Sequence, residues 1–141
     1  MAFDLKKLDR ALNPRTVAVV GDKRITDLQW LRSMSTFQGK VYSVQIDRED
    51  ISQIEALGVT NYLSLRDIPE PIDYVLIAVP RRVAPPVLKE CIEMQVGGVG
   101  MYTSGFAETA SEEGVELQKT VTQMAQDAGL VLLGPNCMGL Y

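Results

Sequence analysis

The chain has no histidine anywhere in its 141 residues. That removes histidine-ligated zinc, a Ser–His–Asp triad and an imidazole general base from what it can build alone. It has two cysteines, Cys91 and Cys137, which lie 46 positions apart. There is therefore no CxxC pair for a zinc knuckle or a thioredoxin-type motif. Long hydrophobic runs are missing too. The longest, Tyr74–Val79, is far short of a membrane span. The start of the chain, Met1–Leu8, is charged and lacks the apolar stretch of a secretory signal. Nor is there a basic excess: 14 Lys and Arg face 18 Asp and Glu, for a net charge of −4. A general nucleic-acid binder needs the opposite balance. No nucleic-acid or membrane partner is expected, and the setting reads as reducing and cytoplasmic.

What is present reads as one globular domain spanning 1–141. Its apolar fraction of 46% is too high for disorder. Short β-branched runs alternate with helix-period segments. Val17–Val20 is apolar throughout and ends at Gly21, so both of its faces must be covered, as in a parallel sheet. Thr26–Phe37 follows with helical spacing of Leu28, Leu31 and Met34. Val41–Val44 is a second strand, Ile51–Leu57 a short helix, and Asn61–Leu65 a weak edge segment. Tyr74–Val79 is the clearest strand, and a helix over Ala84–Met94 takes Pro85 and Pro86 into its first turn. Val96–Tyr102 reads as a glycine-weakened strand. Thr109–Glu112 reads as a capping box for a helix over Ala110–Ala128, and Leu130–Leu133 as the last strand. This order predicts an α/β fold: a doubly wound parallel sheet of five to six strands.

In such sheets ligands bind beyond the carboxyl ends of the strands, where strand order reverses. The segments at those ends are the candidate site. Gly21-Asp22-Lys23-Arg24 has the tight turn of a dinucleotide fingerprint but not its later glycines, and no Gly-Lys-Ser/Thr loop exists. Lys23 and Arg24 lie where a phosphate would sit. Asp47, 26 residues after Gly21, is near the place of a ribose-binding acid. Arg81 and Arg82 precede a helix N-terminus, where cations oppose the helix dipole, so a bound anion is expected beside them. Thr103-Ser104-Gly105-Phe106 offers backbone N–H groups to a carboxylate or phosphate. Cys137 has no histidine to activate it and reads as structural. Gly97-Gly98-Val99-Gly100 reads as a packing feature.

Several stretches together resemble the CoA-binding domain of NDP-forming acyl-CoA synthetases, which include ADP-forming acetyl-CoA synthetase and are related to the succinyl-CoA ligase α subunit. They are Leu12–Gly21, Leu63–Asp73, Ile77–Pro80, Val83–Glu93, Ser104–Phe106 and Gly134–Gly139. Their order and spacing cover nearly the whole chain. The resemblance implies a Rossmann-like fold and coenzyme A as the ligand. It implies that Gly21, Asp22, Lys23 and Arg24 line the adenosine-diphosphate end, with the stretch from Gln45 to Arg48 beside the nucleotide. Val79 and Pro80 would contact the adenine or pantetheine; Arg81, from its place before the helix N-terminus rather than from the resemblance, is read as a phosphate contact. Ser104, Gly105, Phe106, Asn136 and Cys137 would approach the pantetheine arm and thiol. The family's first loop usually carries small residues and a proline, and its second a PVNP run. Here they are Gly21–Arg24 and Ser43–Ile46. The implied partners are the remaining synthetase parts, a succinyl-CoA-ligase-like domain with the phosphate-carrying histidine and an ATP-grasp domain. A second copy of the chain is an open alternative. A non-catalytic nucleotide-sensing or protein-interaction module remains the competing reading, and an NAD-binding repressor-type domain a third.

Overall fold

The structure is a computed structural model, and it describes residues 4–137. Six parallel strands form one sheet: β1 (Thr16–Val20), β2 (Lys40–Val44), β3 (Thr60–Tyr62), β4 (Tyr74–Ile77), β5 (Gly98–Met101) and β6 (Val131–Leu133). Their order is β3-β2-β1-β4-β5-β6, so the direction of winding reverses between β1 and β4. This is the doubly wound arrangement that the alternation predicts. β3 lies at one edge, as expected of the weak Asn61–Leu65 segment, but it is shorter and set earlier, at Thr60–Tyr62.

β1 is fully buried because helices cover both faces of the sheet. On one face Ala18, Val20, Val75, Ile77 and Val99 pack with Leu88 and Cys91 of α4 (Ala84–Glu93) and Val121 of α5 (Glu112–Ala128). On the other, Val17, Val19 and Leu76 pack with Leu31 of α2 (Gln29–Ser33) and Ile54 of α3 (Arg48–Ala56). Burial also pushes the Cys91 thiol pKa well up, so this cysteine is core and not a nucleophile.

Three local expectations need correction. The first concerns α1 (Leu5–Leu12), a helix in a stretch that otherwise reads only as charged. Asp4 caps it by accepting the Lys6 and Lys7 N–H groups at 2.9 and 3.3 Å. Gly98 makes room for it, since a Cβ there would stand 2.6 Å from the Ala11 methyl. The second is Thr26–Phe37, whose helix is only Gln29–Ser33, flanked by 3-10 turns. Asp27 and Leu28 have positive φ, which stops a helix from starting earlier. The third is the capping box. The cap is Ser111, whose Oγ accepts the Gly114 N–H at 3.0 Å. Ala110 sits at φ +55°, so the chain is still turning at Thr109.

The Leu63–Asp73 stretch proves to be scaffold. Leu65, Ile68 and Ile72 are buried in the core. Ser64 caps a 3-10 turn and donates to Glu90 at 3.0 Å. Asp73 Oδ2 accepts the N–H groups of Arg15 and Thr16 at 2.9 and 3.1 Å, and its Oδ1 takes Arg10 Nε at 2.9 Å. Arg10 also donates to Ile72 O at 2.8 Å and Gln95 O at 3.1 Å. These bonds tie α1, β1 and β4 together at the amino ends of the strands.

Candidate functional site

At the opposite end, above the β1/β4 reversal, lies a cavity of about 990 Å³. That is the upper part of the range for small-molecule sites. Its walls are largely apolar: Val20, Val44, Ile46, Leu63, Val83 and Val87 contribute, and Ile25 stands at the mouth. It is joined by a narrower cleft of about 300 Å³ reaching over β5, bordered by Trp30, Tyr102, Thr103 and Ser104. Lys23, Val79 and Pro80 border both. Trp30 and Tyr102 stack with centroids 4.1 Å apart.

The first turn is tight because Gly21 lies at φ +88°, with Val79 so close that a Cβ would stand 2.5 Å from its Cγ1. No β-carbon-bearing residue fits there without moving the cavity wall. Asp22, next in line, is turned away from the cavity and buried. Its carboxylate accepts the Leu31 N–H at 2.8 Å and the Lys23 N–H at 3.0 Å. Burial raises its pKa despite these donors. Leu31 is in the first turns of α2, so Asp22 serves a helix end that phosphates serve in dinucleotide folds.

Gln45 is buried and is a clamp: Nε2 donates to Asp22 O at 2.8 Å, and Oε1 accepts the Ile46 and Asp47 N–H groups at 2.8 and 3.1 Å. Asp47 caps α3, accepting the Glu49 and Asp50 N–H groups at 3.0 and 3.1 Å. Arg48 is exposed and is not among the lining residues. Arg24 lines the cavity, but three carboxylates hold its guanidinium: Asp47 and Asp50, each at 3.5 Å, and Glu49. Its backbone N–H also goes to Asp50, at 3.0 Å. Lys23 is the lining cation without an ion-pair partner among the described residues.

The same pattern recurs over the last strands. Arg81 and Arg82 do face an anion, but it is the protein's own Glu113, from the first turn of α5. Arg81 Nη2 and Arg82 Nε reach it at 2.6 and 2.7 Å. Arg81 Nη1 donates to Gly105 O at 2.7 Å. Hydrogen bonding from Arg82 holds the Glu113 carboxyl below its usual pKa. The Gly105 and Phe106 N–H groups, expected to receive a ligand oxygen, donate to Glu108 at 2.5 and 3.0 Å. Desolvation pushes the Glu108 pKa up, but these donors outweigh it and keep it low. The Phe106 ring is fully buried core, so only its backbone faces the loop. Ser104 is exposed at the cleft edge. Asn136 and Cys137 return beside β5, their N–H groups donating to Thr103 O and Met101 O at 3.0 and 3.2 Å. Met138 and Gly139 of the same motif lie outside the described residues.

Sequence reasoning did not find Asp50, Glu108 and Glu113 as partners, nor the wall residues Ile25, Leu63 and Val83. The Arg24–Asp50 and Arg81–Glu113 separations, 26 and 32 residues, carry no local signal.

A parallel sheet with a deep cleft at its strand reversal defines a nucleotide-binding α/β domain. A family model described as the CoA binding domain matches residues 15–141. The α subunit of ADP-forming acetate–CoA ligase II from Pyrococcus furiosus is 36% identical over 94% of this chain and 29% of its own length. The crystal structure of PH0766 from Pyrococcus horikoshii OT3 matches at TM-score 0.81 and 36% identity, covering 94% of this chain and 30% of that one. The dinucleotide-forming acetyl-coenzyme A synthetase 1 of Ca. Korarchaeum cryptofilum, solved with phosphate and ADP, matches at TM-score 0.81 and 31% identity, over 95% and 28%. The chain belongs to the CoA-binding domain family and is homologous to this domain of ADP-forming acyl-CoA synthetases. It spans less than a third of the length of these relatives.

Proposed function

We propose that this chain binds coenzyme A as the CoA-binding module of an NDP-forming acyl-CoA synthetase. The chemistry would be completed by succinyl-CoA-ligase-like and ATP-grasp domains or subunits, in a cytoplasmic setting. The observation that carries this reading is the cavity of about 990 Å³ opening into a cleft of about 300 Å³ across the strand reversal. A wide, apolar compartment suits an adenosine, and a narrow one suits an extended pantetheine arm. The apolar walls of the wide cavity suit an adenine, while the smaller cleft offers the Trp30 and Tyr102 rings together with the polar Thr103 and Ser104 to the arm. For its phosphates the cavity offers Lys23 as the uncommitted cation among the described lining residues. In this arrangement Val79 and Pro80 form the sill over which the ligand crosses. Thr103 and Ser104 border the smaller cleft, and Asn136 is tied to the same loop by its N–H to Thr103 O. With no histidine, the chain holds and orients the thiol while phosphate transfer occurs elsewhere.

Titration calorimetry with CoA tests the proposal. Saturable binding that Lys23→Ala weakens about tenfold is expected, the size of one charge-assisted contact. No heat with CoA at millimolar concentration overturns it. That result favours an interaction module instead, a reading supported by the exposure of Ile25 (86%), Ile46 (76%) and Leu63 (64%) around the mouth.

A further inference from the structure

Three carboxylates line the wide cavity: Asp47, Asp50 and Glu90. They differ in what is left for a ligand. Asp47 is exposed, so water can serve whatever its partners leave free. Glu90 has both oxygens taken. Its Oε1 accepts from the Ser64 hydroxyl at 3.0 Å and from Arg66 Nη1 at 2.9 Å, and its Oε2 from the Leu65 N–H at 3.3 Å. Asp50 is only 6% exposed. Its side chain accepts from the Arg24 N–H at 3.0 Å and from Arg24 Nη1 at 3.5 Å, and both bonds fall on Oδ1. Asp50 Oδ2 has no hydrogen-bond partner among the described residues. It is not sealed in either, and the space it opens on is the cavity that Asp50 lines.

This oxygen is fixed in place. Asp50 sits in the first turn of α3, where its own N–H donates to the Asp47 cap at 3.1 Å. From the other side, the β1 turn pins Oδ1 through the Arg24 N–H. An ionised carboxylate only accepts, so the group that meets Oδ2 must donate. Leaving a buried acceptor unmade is costly, which gives a donating ligand the advantage. The Arg24 guanidinium already offsets part of the Asp50 charge, so an uncharged donor is enough. Lys23 on the same wall and Arg48 at the start of α3 have no ion pair among the described residues and stay open to phosphates. We infer that Asp50 Oδ2 accepts a hydrogen bond from an uncharged donor of the ligand's adenosine, and so selects the nucleotide that carries it. The inference rests on the CoA reading given above and adds a specificity-determining residue to it. CoA has two such donors, the adenine amino group and the ribose 2′-hydroxyl.

The test is side-by-side calorimetry of the full 141-residue chain with three ligands. They are CoA, deamino-CoA, which has a carbonyl in place of the adenine amino group, and 2′-deoxy-CoA. One of the two analogues is expected to bind about tenfold more weakly than CoA, because it leaves the buried acceptor unpaired. The analogue that loses affinity identifies the donor. Asp50→Asn is the matching variant. Its amide keeps an oxygen for the Arg24 N–H and so turns N–H groups, not an acceptor, towards the ligand. In that variant the gap between CoA and the weaker analogue is expected to close to within about twofold. Thermal melting checks that the variant is folded, and if it is not, the analogue gap in the parent chain decides alone. Both analogues binding as tightly as CoA, or a gap unmoved in folded Asp50→Asn, overturns the inference and leaves the CoA reading standing. Failure of all three nucleotides to bind overturns both.

Discussion

The two ends of the sheet use the same chemistry for opposite purposes. At the amino ends, Asp73 accepts two backbone N–H groups and one guanidinium, and the result is a staple between α1, β1 and β4. At the carboxyl ends, Asp50 accepts the Arg24 N–H and pairs with its guanidinium. Glu108 takes two backbone N–H groups, and Glu113 takes two arginines. The Asp73 staple is at the far end of the sheet from the cavity and the cleft and lines neither, so its carboxylate does not compete with a ligand there. Beside the cleft, each carboxylate occupies a donor that an anionic ligand would use. The same interaction is scaffold at one end and competition at the other.

The sharpest way to break that contrast is at the staple. Asp73→Ala strands a half-buried Arg10 and the Arg15 and Thr16 N–H groups. It is expected to cost about 2–3 kcal/mol in stability by denaturant melts. CoA affinity should be unchanged once the protein is folded, and a loss of affinity there would dissolve the distinction between the ends.

Gly21→Ala acts at the other end. It forces a Cβ into positive φ and against Val79, with an expected stability cost of about 1–3 kcal/mol. Here ligand affinity should fall together with stability, because Val79 borders both compartments. Lys23→Ala is smaller and selective: about 1.4 kcal/mol of affinity, the tenfold loss named above. Its effect on melting should be within about 0.5 kcal/mol.

The smallest effect is in pH dependence. The pKa of Glu113 is lowered in the folded state, chiefly by Arg82, so its contribution is present above the ordinary carboxylate pKa. It is lost as pH falls through the depressed folded value. Glu113→Gln should flatten that acid limb of a stability–pH curve. An unchanged limb would mean that the grip on Arg81 and Arg82 adds nothing.

The sheet was legible because buried parallel strands must be apolar on both faces, as in Val17–Val20 and Tyr74–Ile77. A doubly wound sheet with its ligand loops at the carboxyl ends of the strands followed from strand–helix alternation, but the place of the reversal, between β1 and β4, did not. What sequence reasoning missed was the partnering of charges. The expectation of an anion beside Arg81 and Arg82 was sound as electrostatics, but its source, Glu113, lies on a different crossover. Asp22 was expected to line the adenosine-diphosphate end, yet its side chain is folded under the loop and bonded to Leu31. Side-chain direction in a turn depends on local φ and ψ, which residue identity alone does not specify. Helix α1 was missed because its stability comes from Arg10 reaching Asp73 and Gln95, contacts 63 and 85 residues away.

The stacked pair at the narrow cleft gives the protein an internal optical probe. Trp30 is the single tryptophan of the chain, and it lies face to face with Tyr102 on the border of that cleft. Its emission therefore originates from one place, with no second indole to dilute it. An arm entering the narrow compartment changes the polarity and quenching around that ring. A ligand confined to the wide cavity leaves it in the same surroundings. Occupancy of the two compartments can thus be followed separately, without a label, by comparing tryptophan emission with the heat of binding.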